Sequence, residues 1–114
     1  MSDPYLPDEG HLIWTDFDPR TGREQAGRRP ALVLSPLAFS EASGFAIVCP
    51  ITSAIRNFGT SVILPDGLAV GGEVLTSHVR SIDLLARPIR FAGGVAPPTT
   101  LADVREKLAV LCGM

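Results

Sequence analysis

Four arginines, Arg20, Arg23, Arg28 and Arg29, fall within ten residues, with Glu24 and Gln25 between them and the apolar run PALVLSP directly after. A guanidinium presents a planar fork of N–H donors that fits the oxygens of a phosphate or a carboxylate. Such a cluster marks a local anion site, and the bland alternative is a solvated arginine-rich loop. Glu24 adds a carboxylate able to accept a proton. Further along, Thr52 and Ser53 present hydroxyls just beyond Pro50, Arg56 follows in a polar loop, and Ser77 stands beside His78. An imidazole titrates near neutrality, which suits it to proton transfer.

Other chemistries find no support in the residue spacing. GLAVGG, 67–72, lacks the GK[ST] ending of a phosphate loop and reads as a turn. His11 and His78 lie far apart without HExxH spacing, and no GxSxG elbow is present, so neither a metal nor another cofactor is expected. Cys49 and Cys112 sit in apolar contexts without CxxC spacing and are expected to be buried free thiols.

These residues need a scaffold, and 114 residues suffice for a single domain, 1–114, with a modest core. The chain is 46% apolar and 19% charged, a globular balance rather than a disordered one. Its formal net charge of −2 argues against a general nucleic-acid coat protein. Yet nine of the ten cations are arginines, and their clustering makes a local anion site compatible with an acidic whole. No apolar run approaches the roughly 18 residues of a membrane helix and no secretory leader is evident, so a cytoplasmic protein is expected.

Apolar runs punctuated by turn formers predict the elements. HLIWTDF (11–17) reads as a strand in which Trp14 packs, and 18–27 as a loop long enough to be functional. RPALVLSP (29–36) reads as a buried strand, LAFSEASG (37–44) as a helical turn, and FAIVCPIT (45–52) as a strand that leaves the sheet or bends near its end at Pro50. After the loop 53–60 come a short strand at SVILP, the turn DGLAVGG, one long strand from Glu73 to a bend near Asp83, and a further strand ending at the glycines. Leu101, Val104, Leu108 and Leu111 share a helix face, with Thr100 as the expected N-cap, Asp103 three residues on, and Gly113 as the stop. Five or six strands and one terminal helix predict a mainly β, α+β domain: a small bent sheet or partly open barrel with the helix packed against it.

WTDFDPRTGREQAGRRPALVLSP resembles the opening of the MazF/PemK-type toxins of bacterial toxin–antitoxin pairs. The similarity continues through CPITS (49–53), VRSID (79–83) and the terminal helix, covering nearly the whole chain. The resemblance implies an SH3-like, plasmid-maintenance-toxin barrel of five to seven strands with a C-terminal α-helix, working as a homodimer. It implies a metal-independent endoribonuclease that cuts single-stranded messenger RNA at specific sequences, leaves 2′,3′-cyclic phosphate and 5′-hydroxyl ends, and is silenced by a cognate antitoxin. The toxin alone is not expected to bind DNA.

Motif matching places the key arginine at Arg29 and the family's threonine at Thr52. Cleavage by the RNA's own 2′-hydroxyl requires a base, an acid and fixed donors on the phosphate. Arg29 suits charge stabilisation, Thr52 a hydroxyl contact to the same phosphate, and Glu24 the base. Gln25, Arg28, Ser53, Arg56 and Ser77 are the expected RNA contacts, while Arg80 and Asp83 suit an ion pair as readily as a ligand contact. The chain departs from its relatives at Ser77, where several carry an acid, and at His78, where they carry glutamine. A serine cannot replace a carboxylate as base; His78 can, if its strand turns it toward the groove. Two rival readings share the fold: a gyrase-poisoning toxin, and a catalytically silent module that binds RNA or peptide.

Overall fold

The computed structural model describes residues 5–16 and 28–114. Seven strands and two helices follow in the order β1 (His11–Asp16), β2 (Arg28–Val33), α1 (Leu37–Ser43), β3 (Phe45–Thr52), β4 (Val62–Ile63), β5 (Glu73–Val74), β6 (Arg80–Asp83), β7 (Ile89–Val95) and α2 (Pro98–Leu111). All pairings are antiparallel, in the order β4-β5-β3-β2-β1-β7, with β6 also on β3. The architecture is therefore the expected mainly β domain of seven strands with a C-terminal helix.

Adjacent side chains of a strand point to opposite faces, and both faces of the central strands are covered. Leu12, Leu32, Cys49 and Ile51 join Val74, Leu101 and Val104 in one core beneath α2. Ile13, Ala31, Val33 and Val48 join Ala46 and Ile82 in a second. Each such side chain taken from water contributes about 1.5–3 kcal/mol for the larger residues. This double burial explains why the β1 to β3 sequences read as nearly continuous apolar runs.

Five details differ from the sequence expectation. Residues 73–83 do not form one strand, because a 3₁₀ turn at Thr76–His78 separates β5 from β6. Both strands lie along the same edge of β3: the three steps from Val48 to Ile51 face six from Arg80 back to Val74, and the surplus is taken up in the turn. Strand alternation therefore does not orient His78. Pro50 does not end β3 either; it stays paired with Ala31 while its carbonyl accepts the Leu75 N–H at 2.9 Å.

The remaining three concern the terminal helix and the residue after it. Pro97 precedes α2, no side chain caps it, and Thr100 lies buried in its first turn. A proline at the first position is preset for helix and has no N–H to satisfy, so the Thr100 cap is unnecessary. Leu101 and Val104 are buried and Leu108 packs on the core, but Leu111 is 42% exposed as the helix runs past the sheet. Cys112, just beyond, is exposed rather than buried, whereas Cys49 is fully enclosed and its thiol is pushed up to about 12 by burial.

The lead-in is anchored by Tyr5, whose hydroxyl donates to His11 Nδ1 at 2.6 Å and whose ring meets those of His11 and Phe91. The Asp8 N–H also reaches that nitrogen, at 3.3 Å. Burial foremost, with the Asp8 charge, pushes Tyr5 up to about 12. Among the described residues, no helix is long and apolar enough to cross a membrane.

Candidate functional site

The β1–β2 ladder fixes the arginines. Asp16 pairs with Arg28 and Thr15 with Arg29, so both backbones are held while both side chains remain exposed. At the same end, Arg87 Nη1 donates to the Asp16 carbonyl at 2.6 Å and ties the turn before β7 to the root of the segment 17–27. Glu24 and Gln25 lie outside the described residues.

On the other side of β2, Ala31 pairs with Pro50. Continuing that antiparallel register by two residues brings Arg29 opposite Thr52. Thr52 Oγ1 accepts the Ala54 N–H at 3.1 Å. Because this bond uses a lone pair, the hydroxyl keeps its own proton for an anion.

Two open troughs meet at this pair. One, of about 470 Å³, is lined by Trp14, Arg28, Arg29, Thr52 and Ser53 together with Gly71. The other, of about 340 Å³, is lined by Arg29, Pro50, Thr52, Leu75, His78 and Arg80. Arg29, Ile51 and Thr52 belong to both. Three guanidinium groups and an imidazole thus border a continuous depression in a protein of net charge −2. An extended polyanion with unstacked bases suits such a shape: phosphate at the arginines, bases in the flanking hollows.

Of the sequence-selected residues, the fold assembles Arg28, Arg29, Thr52, Ser53 and His78. Arg56 and Ser77 are exposed but line neither trough, and Arg56 joins the structure through its backbone N–H. Trp14, assigned only to packing, packs against the core and also lines the larger trough. Arg80 takes its place on the smaller one. Asp83 instead accepts the backbone N–H groups of Leu85 and Ala86 in the turn after β6.

Sequence reasoning missed Glu73. It is fully buried, pairs with Thr52 across the β3–β5 ladder, and accepts backbone N–H bonds from Arg56, Asn57 and Phe58 and the Ser61 hydroxyl. The Ser61 and Arg56 bonds foremost hold its carboxyl below the usual carboxylate range despite burial. An acid in the apolar run GEVL was the available signal, since a buried carboxylate requires partners.

Comparison with known proteins gives one consistent relationship. Residues 8–112 match the family described as PemK-like, MazF-like toxin of type II toxin–antitoxin system. The chain is 41% identical to the endoribonuclease toxin MazF of Escherichia coli K12 over 113 residues, covering 99% of this chain and all of that one. It is 44% identical over 92 residues to the Escherichia coli K12 endoribonuclease toxin ChpB, covering 75% of this chain and 78% of the relative. Among solved structures, MazF from Deinococcus radiodurans superimposes with a TM-score of 0.86 at 47% identity, over 96% of this chain and 99% of that one. A MazE–MazF complex from the same organism gives 0.84 at 44% identity, covering 96% and 98%. With pattern, full-length similarity and fold in agreement, the chain belongs to the PemK/MazF family of type II toxins.

Proposed function

We propose that this protein, an endoribonuclease toxin by family, binds single-stranded messenger RNA along the two troughs and cuts it at the phosphate held by Arg29 and Thr52. The position of this pair at the junction of both troughs carries the reading. The RNA's 2′-hydroxyl loses a proton to a base and attacks the adjacent phosphorus. The bond to the 5′-oxygen breaks, that oxygen takes a proton, and 2′,3′-cyclic phosphate and 5′-hydroxyl ends result. Arg29 and the Thr52 hydroxyl stabilise the charge gained by the phosphate oxygens. Glu24 and His78 are the proton-transfer groups, and Arg28, Ser53 and Gln25 contact the strand, with Arg56 and Ser77 at its margins. The chemistry is intramolecular in the RNA and is proposed to proceed without metal.

A cognate antitoxin, like the MazE partner in the Deinococcus radiodurans complexes, is proposed to neutralise the toxin by laying an acidic extended segment across the arginine-lined trough. The working state is a cytoplasmic homodimer that does not bind DNA by itself.

The test is incubation of purified protein with long end-labelled RNA in EDTA, beside an Arg29→Ala control. Discrete cuts ending in cyclic phosphate, absent from the control, are expected; intact RNA would overturn the reading. An acidic antitoxin peptide should compete with RNA, and simultaneous independent binding would refute a shared trough.

A further inference from the structure

We infer that Glu73 is a positioning residue of this ribonuclease, setting the place of the Thr52 hydroxyl and of the loop that follows it. This inference rests on the ribonuclease reading above. Burying a carboxylate is costly, and an apolar residue at this ladder position would pack more cheaply. The acid is instead saturated with donors from one short segment. Oε1 accepts the N–H groups of Arg56 at 2.8 Å and Asn57 at 3.2 Å, while Oε2 accepts the Phe58 N–H at 2.9 Å and the Ser61 hydroxyl.

Asn57 has φ 55°, the left-handed conformation, and is the only non-glycine residue among those described with positive φ. Successive N–H groups turned inward in this way form a concave anion nest, here filled by a side chain of the protein itself. The loop between Thr52 and β4 is consequently wound around Glu73.

Thr52 sits where these restraints meet. It is the direct ladder partner of Glu73. The preceding residue, Gly72, has φ 129° and lies so close that a Cβ there would collide with the Thr52 carbonyl oxygen. Downstream, the Ala54 N–H returns to Thr52 Oγ1, two residues before the nest begins. The threonine is thus fixed from the neighbouring strand and from its own loop. Glu73 lines neither trough, so it acts through Thr52 and the loop and not on RNA.

The experiment is a double-mutant cycle on the full chain, using Glu73→Gln, Thr52→Ala and their combination, assayed at a temperature where circular dichroism shows all of them folded. The amide keeps the shape of the acid but puts an NH₂ against two donors. Glu73→Gln should lower kcat by up to about 100-fold, the scale of a modest misplacement of a reacting group. Combined with Thr52→Ala it should add little to the loss from Thr52→Ala alone, because its effect runs through that hydroxyl. Independent multiplicative losses, or wild-type cutting by Glu73→Gln, would overturn the inference.

If Glu73→Gln does not fold, Ser61→Ala removes a single donor remote from the troughs and should give a smaller kcat loss that likewise vanishes on the Thr52→Ala background; no loss would overturn the proposal. The same variants titrated with an RNA oligonucleotide made uncleavable by a single 2′-deoxy residue at the cleavage position report the coupling as Kd. A wild-type protein that binds this analogue yet leaves the all-ribose RNA intact would refute the nuclease reading separately from the role of Glu73.

Discussion

Arg29 and Thr52, each two residues beyond the Ala31–Pro50 pair on adjacent strands whose register is fixed by fully buried neighbours, together line both troughs. A guanidinium fork and a hydroxyl thereby border the same hollows from adjacent strands. A phosphate held by both would gain from each during charge build-up, so the two residues should make separable contributions.

Arg29→Ala should lower kcat by about 10²–10³-fold, as loss of a charge-stabilising donor does. Its side chain is exposed, so the thermal midpoint should hardly move. Arg29→Lys should recover only part of the rate, because an ammonium lacks the fork. Single-turnover cleavage of a short RNA measures all three, and a fully active alanine variant would remove Arg29 from the mechanism.

Thr52→Val deletes the hydroxyl at nearly constant volume and should lower the rate by about 10- to 100-fold, the range for a hydrogen bond to a charged group. Thr52→Ser keeps the hydroxyl that accepts from Ala54 and should cut nearly as well as the parent. Equal losses in the two variants would assign Thr52 to packing.

The division of proton transfer is tested by His78→Asn and Glu24→Gln. Loss of a general base or acid should reduce kcat by about 10²–10⁴-fold and remove one limb of the pH–rate profile. His78 lines the smaller trough, and its substitution should therefore lower kcat; an unchanged rate would make it a surface residue.

Stability should fall toward both extremes of pH. Glu73 is held below its ordinary value of 4.5, so the stability from its ionised form is complete above that pH and drains away as pH falls through the lower folded value. Tyr5 and Cys49 are raised from 10.0 and 9.0 to about 12, so their contributions are complete below the ordinary values and are lost as pH rises toward 12. Thermal midpoints across pH should show both limbs, with the acid limb reduced in Glu73→Gln and the alkaline limb in Tyr5→Phe.

The two thiols should separate cleanly. A chromogenic disulfide reagent should label Cys112 rapidly in the folded protein and Cys49 only after denaturation, since one is exposed and the other enclosed. Rapid labelling of both would contradict the packing of β3.

The strands that build the two cores were legible because their burial on both faces leaves runs such as PALVL and FAIVC, bounded by proline, glycine or polar loops. The break at Thr76–His78 was not, because EVLTSHVRS carries no glycine or proline there and the interruption follows from how two strands share the edge of β3. At the site, Arg29 and Thr52 were legible from a family resemblance and from their places at strand ends. Glu73 escaped because its partners are backbone N–H groups 15–17 residues earlier, which leave no pattern of residue types. Trp14 escaped as a trough residue because a side chain that serves the core on one edge and a hollow on the other looks the same in sequence as one that serves the core alone.

The neighbour of β1 on the side away from β2 is β7, joined through His11 with Val95 and Thr15 with Ile89. The sheet that supports the arginines is therefore closed by a strand far along the chain from β1, with only α2 after it among the described elements. Until β7 is in place, β1, the strand paired with Arg28 and Arg29, lacks a neighbour on one side. Such long-range closure is the slow step in folding of β-rich domains. Folding of the sheet beneath the arginines therefore waits on contacts between the two ends of the described fold.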